Sequence, residues 1–275
     1  MTPKERGPLL PYLLTALAPK KRTGVKQLLT HGQIHVNGVS VTRHDFPVKP
    51  GDQIAIVRTA VERRKPILPI LFEDDHLIAI DKPEGLLTVA TETEKLETAF
   101  VLLTTMLPHR PFVVHRLDRE TSGVLLFAKS NAVKEQMQAN WDRAEKTYLA
   151  IVEGKPSPAE GTIENFLHEE KNLSVKASRF ESADSKKAIS RYRTLKTGKL
   201  CSLVEVIIET GRKHQIRVHM AGLGCPIVAD NRYGARHRIA TRLCLHAHRL
   251  AFDHPVTGQR AVVESPLPGE MKRIV

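Results

Sequence analysis

Residues 111–128 constrain the fold more than any other part of the chain. An apolar run, Pro111-Phe112-Val113-Val114, leads into a polar insert from His115 to Gly123, and a second apolar run, Val124 to Ala128, leads out. Two strand-forming runs joined by a segment rich in Thr, Ser and Gly predict a tight loop carried on a sheet. Loops held by a rigid sheet are where catalytic side chains tend to be placed. Asp118 stands between Arg116 and Arg119, whose positive charges favour its ionised form. Taken alone, the stretch is better explained by an Asp that caps a turn between two solvated arginines.

Upstream, residues 9–58 read as a self-contained module. Leu9, Leu10, Leu13, Leu14 and Leu17 recur at helical spacing, and Pro19 stops that helix. Thr23 can cap a second helix through Leu28 and Leu29 that ends at Gly32. Ile34 and Val36 then alternate, Asn37-Gly38 predicts a type I′ hairpin, and Val39 and Val41 resume the alternation. Pro50-Gly51-Asp52 predicts a further turn before a short strand, Ile54 to Val57. Lys20, Lys21, Arg22 and Lys26 gather at the start of the second helix, a cluster that fits a solvated face as well as an anion-binding one. Residues 59–67, charged and weakly patterned around Pro66, predict a linker, and a larger domain then runs over 68–275.

Composition narrows the partners. At 275 residues there is room for one substantial domain beside the small one. A formal charge of +12 draws such a chain to polyanions, nucleic acid foremost. Aromatic residues make up only 5%, too few for a sheet that reads single strands mainly by stacking. No apolar run approaches the ~20 residues of a membrane span. The segment Met1 to Arg6 lacks the apolar core of a secretory signal. Cys201, Cys225 and Cys244 are odd in number and far apart, and so read as free or buried thiols, not as a disulfide frame or zinc site. The expectation is a cytoplasmic protein with no membrane partner.

Within 68–275 strands dominate. Leu68 to Phe72, Leu77 to Ile80, Lys146 to Val152, Ser190 to Leu195, Leu203 to Thr210, Leu245 to Phe252 and Ala261 to Val263 all carry strand patterns. Helices are expected near Leu96 to Met106, from Ser130 or Asn131 to about Trp141, and from Arg212 to Met220. Residues 154–185 are polar and resist assignment. Helices are interspersed without a βαβ rhythm, which predicts an α+β domain with a largely antiparallel sheet.

Two sets of motifs carry a resemblance. The helix, basic helix, Gly, "IHVNG" hairpin and "VKPGDQIAIV" of the first module resemble the S4 RNA-binding domain, an αL-like fold. The resemblance implies that Lys20, Lys21, Arg22 and Lys26 contact phosphates of structured RNA. Such contacts position a protein without reading sequence. In the larger domain, "HRLDRETSG", "DKPEGLLT", "KTYLAIVEG", "GRKHQIRVHMAGLGCPIVAD" and "RLCLHAHRLAFDHPVTG" resemble the RluA-type pseudouridine synthases over almost all of 68–268. There are small departures: Lys213 stands where Thr is more usual, and "VADNRYG" replaces the commoner Gly-Asp form while keeping Asp230, Tyr233 and Gly234.

The resemblance implies the pseudouridine synthase fold, a largely antiparallel mixed sheet with flanking helices. It implies Asp118 as the essential catalytic residue, Tyr148 lying against the target base and Arg217 pairing with Asp118. It implies the 81–88 segment supporting the active-site loop, and an isomerisation that demands no cofactor and no metal. Asp118 as nucleophile and Asp118 as base toward a ribose proton stay equally open. His115 and Arg116 are expected to shape the loop or bind substrate beside the flipped nucleotide, and Lys186 and Lys187 are further phosphate candidates. His246-x-His248 lacks the convergent Cys or carboxylate spacing of a metal site. The implied partner is RNA, with ribosomal RNA favoured and transfer RNA open, and nothing in the sequence calls for more than a monomer. The competing accounts are a non-catalytic RNA-binding protein and a metal-dependent nuclease built on Asp118 and His115.

Overall fold

The computed structural model describes residues 1–30, 32–57, 68–90, 97–170, 174–237 and 239–275, in two compact units, Met1–Pro66 and Ile67–Val275. The segment expected to be a linker, 59–67, lies outside the described residues, as does Leu96, the expected start of a helix.

The first unit runs β1 (Gly7–Pro8), α1 (Leu9–Ala16), α2 (Arg22–Thr30), β2 (Ile34–Val36), β3 (Val39–Ser40), β4 (Pro47–Val48) and β5 (Ile54–Ile56). Leu9, Leu10 and Leu13 of α1 pack on Val25 and Leu29 of α2 and on Ile34, Val36 and Ile54 of the three-stranded sheet β3-β2-β5. Asn37 and Gly38 both take positive φ, +52° and +83°, the geometry of the type I′ turn that the dipeptide predicts. Asn37 Nδ2 donates to Asp52 Oδ1 at 3.0 Å, and the Gln53 N–H donates to Asn37 Oδ1 at 2.8 Å. The hairpin tip and the Pro50-Gly51-Asp52 turn are thereby tied to each other.

The second unit continues with β6 (Ile70–Glu73), β7 (Leu77–Lys82), α3 (Ala99–Met106), β8 (Phe112–Val113), β9 (Ser122–Ala128), α4 (Asn131–Ala139) and β10 (Glu145–Glu153). It is completed by β11 (Glu160–Glu169), β12 (Val175–Ser178), β13 (Lys186–Thr197), β14 (Cys201–Ile208), α5 (Gln215–Gly222), β15 (Leu245–Asp253), β16 (Arg260–Glu264) and α6 (Gly269–Lys272). Eleven strands among the described residues form one sheet, in the order β12-β11-β13-β14-β10-β15-β9-β7-β6, with β16 beside β15 and β8 beside β9. The polar stretch that resisted assignment supplies β11 and β12. Charged residues alternate there with half-buried ones, which suits the outer strands of a sheet with one wet face.

The strands that frame the polar insert are central ones. Leu77 and Ala79 of β7 join Val124, Leu126 and Ala128 of β9 in the core under α4. Ile78 and Ile80 join Leu125 and Phe127 in the core under α3. Both faces are covered, which explains why these strands read as continuous apolar runs instead of alternating ones. A third core, under α5, holds Ile151, Val204, Val206, Ile216 and Met220. Cys201, Cys225 and Cys244 are all buried and free.

Among the described strands of this sheet, every pair but one is antiparallel. The exception is β15 against β9, where His246 stands opposite Ser122 and Ala247 opposite Gly123. Gly123 has φ +112°, and a Cβ there would meet the Ala247 carbonyl oxygen at 2.2 Å, so only glycine permits the approach. Beside it, Ser122 Oγ lies 2.8 Å from His246 Nδ1 and accepts from Arg242 Nη2 at 2.7 Å. His246 Nε2 and His248 Nδ1 both donate to the Ser265 carbonyl, at 3.2 and 2.7 Å. The His-x-His pair is therefore spent on tying strands together, and no metal-binding group of three His, Cys, Asp or Glu occurs among the described residues. Nor is any described helix long and apolar enough to cross a membrane.

Candidate active site

The polar insert between β8 and β9 is held from below by the 81–88 segment. The Thr121 N–H donates to the Asp118 carbonyl at 3.1 Å, closing a turn, and the Gly85 N–H donates to the Arg119 carbonyl at 2.8 Å. Arg119 Nε returns a hydrogen bond to the Gly85 carbonyl at 3.0 Å. Thr88 Oγ1 donates to the Leu117 carbonyl at 2.9 Å and accepts the Leu117 N–H at 3.1 Å. Lys82 is completely buried, and its Nζ donates to the carbonyls of Pro83, Leu86 and Arg119 at 2.9, 2.6 and 3.2 Å. Three carbonyls suit the three donors of an ammonium. Burial pushes Lys82 down to about 7 against the pull of Asp118 and Glu84. Sequence reasoning missed this lysine as a loop clamp, although it lies inside the quoted "DKPEGLLT".

Asp118 faces a cleft of about 450 Å³ that Arg116, Thr121, Tyr148, Arg212, His214, Gln215 and Arg217 also line. A larger groove of about 1240 Å³ on the first unit, beside Val39 and Phe46, holds no comparable set of buried ionisable groups. Three separate elements converge on the cleft: the β8–β9 loop brings Asp118, β10 brings Tyr148 and α5 brings Arg217. Asp118 keeps 30% of its side chain exposed. Burial raises its pKa, with Glu120 adding to the rise, while Arg217, Lys213 and Lys82 oppose it. Tyr148 is held well above the usual phenol range, by burial first and then by the Asp118 charge. Its ring also packs against the core under α3, to which Leu117, Leu125 and Ala247 belong.

Arg217 makes no direct ion pair with Asp118, the pairing that the resemblance implies. Its Nε and Nη2 donate to the two oxygens of Asp230 at 2.7 and 2.8 Å. Asp230 is 1% exposed, and a buried carboxylate without a partner is costly, so the guanidinium edge goes to it. Nη1 is left toward the loop, 3.7 Å from Glu120 Oε2, and the Arg217 charge reaches Asp118 without a direct ion pair. The guanidinium also lies over the Tyr233 ring, 5.2 Å from its centroid.

His115 is turned away from the cleft. Its Nε2 accepts the Leu126 N–H at 3.1 Å, and its ring stacks on Trp141 with centroids 4.7 Å apart. Burial holds it down to about 3, so it is a neutral ring wedged between loop and sheet, the loop-shaping part of its expected role. Arg116 is exposed and lines the cleft mouth. Lys20, Lys21, Arg22 and Lys26 are exposed on the first unit, around the start of α2. Glu120, His214, Asp230 and Tyr233 went unassigned in the sequence, although Asp230 and Tyr233 stood out there as retained motif positions.

Comparison with known proteins bears on the whole chain. The RNA pseudouridylate synthase family matches residues 76–222, and the S4 domain matches residues 10–54. An uncharacterized RNA pseudouridine synthase of Bacillus subtilis is 34% identical, over 97% of this chain and 91% of that protein. The ribosomal large subunit pseudouridine synthase C of Rickettsia bellii is 34% identical, over 87% of this chain and 83% of that protein. Among solved structures, human RNA pseudouridylate synthase domain containing 4 superposes with a TM-score of 0.61 at 27% identity, covering 74% of this chain and 90% of that one.

Proposed function

From the premise that the chain belongs to the RluA-type RNA pseudouridine synthases, isomerases that carry an S4 domain here, we propose that it modifies specific uridines of ribosomal RNA with Asp118 as the catalytic residue. The observation that carries this reading is the convergence of Asp118, Tyr148 and Arg217 on one cleft from three elements far apart in sequence. The ribosomal target draws support from the Rickettsia relatives, whose names specify the large ribosomal subunit. Three buried free thiols support a reducing, cytoplasmic setting.

The reaction breaks the N1–C1′ bond of uridine, turns the uracil and joins C5 to C1′, while a proton leaves C5 and one is gained at N1. Atoms and electrons balance without a co-reactant. Asp118 acts on the nucleoside as a carboxylate, and Arg217 supplies fixed positive charge that keeps it ionised against the cost of burial. Tyr148 offers a flat face to the uracil, and its buried hydroxyl stays protonated beside Asp118. The target base must leave its stack to enter the cleft, at a cost of a few kcal/mol. Phosphate contacts through Lys20, Lys21, Arg22 and Lys26 of the first unit offset that cost.

The test is pseudouridine mapping of ribosomal RNA from cells lacking the gene, complemented with wild type or with Asp118→Asn. One or a few sites should vanish in the deletion, return with wild type and stay absent with the variant. Sites restored by Asp118→Asn would remove the carboxylate from its role.

A further inference from the structure

One polar group at the cleft has no task in the reaction as described. His214 stands at the N-terminal edge of α5 with φ +53°, a left-handed backbone unusual for a residue other than glycine. Such conformations persist where the surroundings over-determine them, and they cluster at active sites. Only 9% of its side chain is exposed, and its two ring nitrogens face different partners. Nδ1 lies 2.7 Å from the Tyr233 hydroxyl, and Nε2 lies 3.9 Å from Asp118 Oδ2.

The protons on this chain of groups can be assigned. Tyr233 Oη already accepts the Val175 N–H at 3.0 Å, and among the described residues His214 Nδ1 is the acceptor for its own proton. An imidazole that accepts at Nδ1 carries its proton on Nε2, the nitrogen facing Asp118. Burial, reinforced by Arg217, Lys213 and Arg232, holds His214 down to about 3 and so keeps the ring neutral. Burial likewise keeps Tyr233 protonated. At 3.9 Å the Nε2–H is an ion–dipole contact to the carboxylate, and contacts of this kind at reacting groups commonly tighten when substrate binds.

The other charged or titratable groups around Asp118 are engaged elsewhere. Arg217 is locked onto Asp230, Lys213 is ion-paired with Glu169, and Lys82 is spent on three carbonyls. Arg212 donates to the Lys187 carbonyl at 3.0 Å, and Arg116 stands exposed at the cleft mouth. Glu120 shares the sign of Asp118, and Tyr148 contributes a ring and an un-ionised hydroxyl. His214 directs its Nε2–H at the Asp118 carboxylate, the nearest acceptor for it among the described residues. We propose that His214 is a positioning residue for Asp118: the Tyr233 hydroxyl fixes the imidazole as its Nε2–H tautomer, and that N–H orients the carboxylate toward the nucleoside. The proposal rests on Asp118 being the reacting carboxylate.

Two readouts test it, one independent of catalysis. Nitrogen-15 spectra of labelled histidine should show His214 protonated at Nε2, and Tyr233→Phe should release the ring into a mixture of tautomers. Carbon-13 titration of the Asp118 carboxyl should move to higher pH in His214→Asn, since a hydrogen bond to a carboxylate favours its charged form. Asn tolerates the left-handed backbone, and His214→Gln, with an amide near the Nε2 position, provides a second folded variant. In turnover, His214→Asn should lower kcat by about 10- to 100-fold, the cost of a misaimed reacting group, with KM for RNA nearly unchanged. The acid limb of kcat/KM should shift upward, and His214→Gln should recover most of both losses. An Nδ1–H tautomer, or an Asp118 titration that His214→Asn leaves in place, would overturn the proposal. If the wild-type protein has no pseudouridine synthase activity, the functional reading fails instead, and the two NMR readouts separate that failure from this one.

Discussion

Asp118 sits among charges of both signs, and the balance sets two measurable properties. Burial outweighs Arg217, Lys213 and Lys82, so its folded-state pKa lies above its unfolded one. For a group raised in this way, the folded state binds more protons than the unfolded state between the two values, and stability falls as pH rises through that window. Ionised Asp118 therefore costs stability at neutral pH. Asp118→Asn should be inactive yet melt higher than wild type at pH 7, by about 2–4 °C for each kcal/mol relieved. A lower melting temperature would contradict the raised pKa. In the proposed mechanism the carboxylate is the working form, so activity should have the opposite dependence on pH. The acid limb of kcat/KM should lie above the ordinary carboxylate range, and Glu120→Gln, which removes a like charge, should move it down. The partner of Asp230 can be tested separately. Asp230→Ala leaves the buried Arg217 charge without its bidentate acceptor and should cost about 3–5 kcal/mol in chemical denaturation. At this scale the sequence named Asp118, Tyr148 and Arg217, which line one cleft, but not their pairings. Asp118 stood out because it interrupts two apolar runs, while the role proposed for it came from the motif resemblance and not from the stretch alone. The choice of Arg217 between Asp118 and Asp230 was not legible, since it depends on which carboxylate is completely dry.

Elements explain why the residues hold their places. The β7 and β9 runs, apolar without alternation, could be identified as strands, and their burial on two faces accounts for the missing alternation. The strand-like outer segments β11 and β12 were illegible because half-buried edge strands carry little apolar signal. The α5 region was expected to be helical from Arg212, but the helix begins at Gln215, after the left-handed His214 and an Arg212 carbonyl that accepts the Gln215 N–H. The junction of β9 with β15 depends on one residue. Gly123→Ala places a methyl against the Ala247 carbonyl at a φ that alanine rarely adopts, and should cost at least about 1–3 kcal/mol. Because Gly123 is the second residue of the strand that follows the Asp118 loop, the same variant should lose activity before it loses secondary structure. Circular dichroism and turnover on one sample distinguish the two losses.

At the scale of the molecule, basic charge and chemistry are divided between units. Lys21→Glu with Arg22→Glu should weaken RNA binding and make its salt dependence shallower, by about 1 in the log–log slope for each phosphate no longer neutralised. The turnover of saturating RNA should be little changed, because neither residue lines the cleft. Unaltered affinity would clear the start of α2 of RNA binding. The turn signals of the first 58 residues set that segment apart in the sequence, whereas the eleven-strand order has no such signal, because nothing local in a strand says which distant strand it will join.

That order also sets a timetable. β15 lies between β9, which follows the Asp118 loop, and β10, which carries Tyr148, yet it is made long after both. A growing chain presents Asp118, then Tyr148, then Arg217, and still lacks the strip of backbone that joins their two supports until residues 245–253 have emerged. Nascent chains arrested before that point hold Asp118, Tyr148 and Arg217 without the strand that joins two of their supports, and should be inactive until β15 is added.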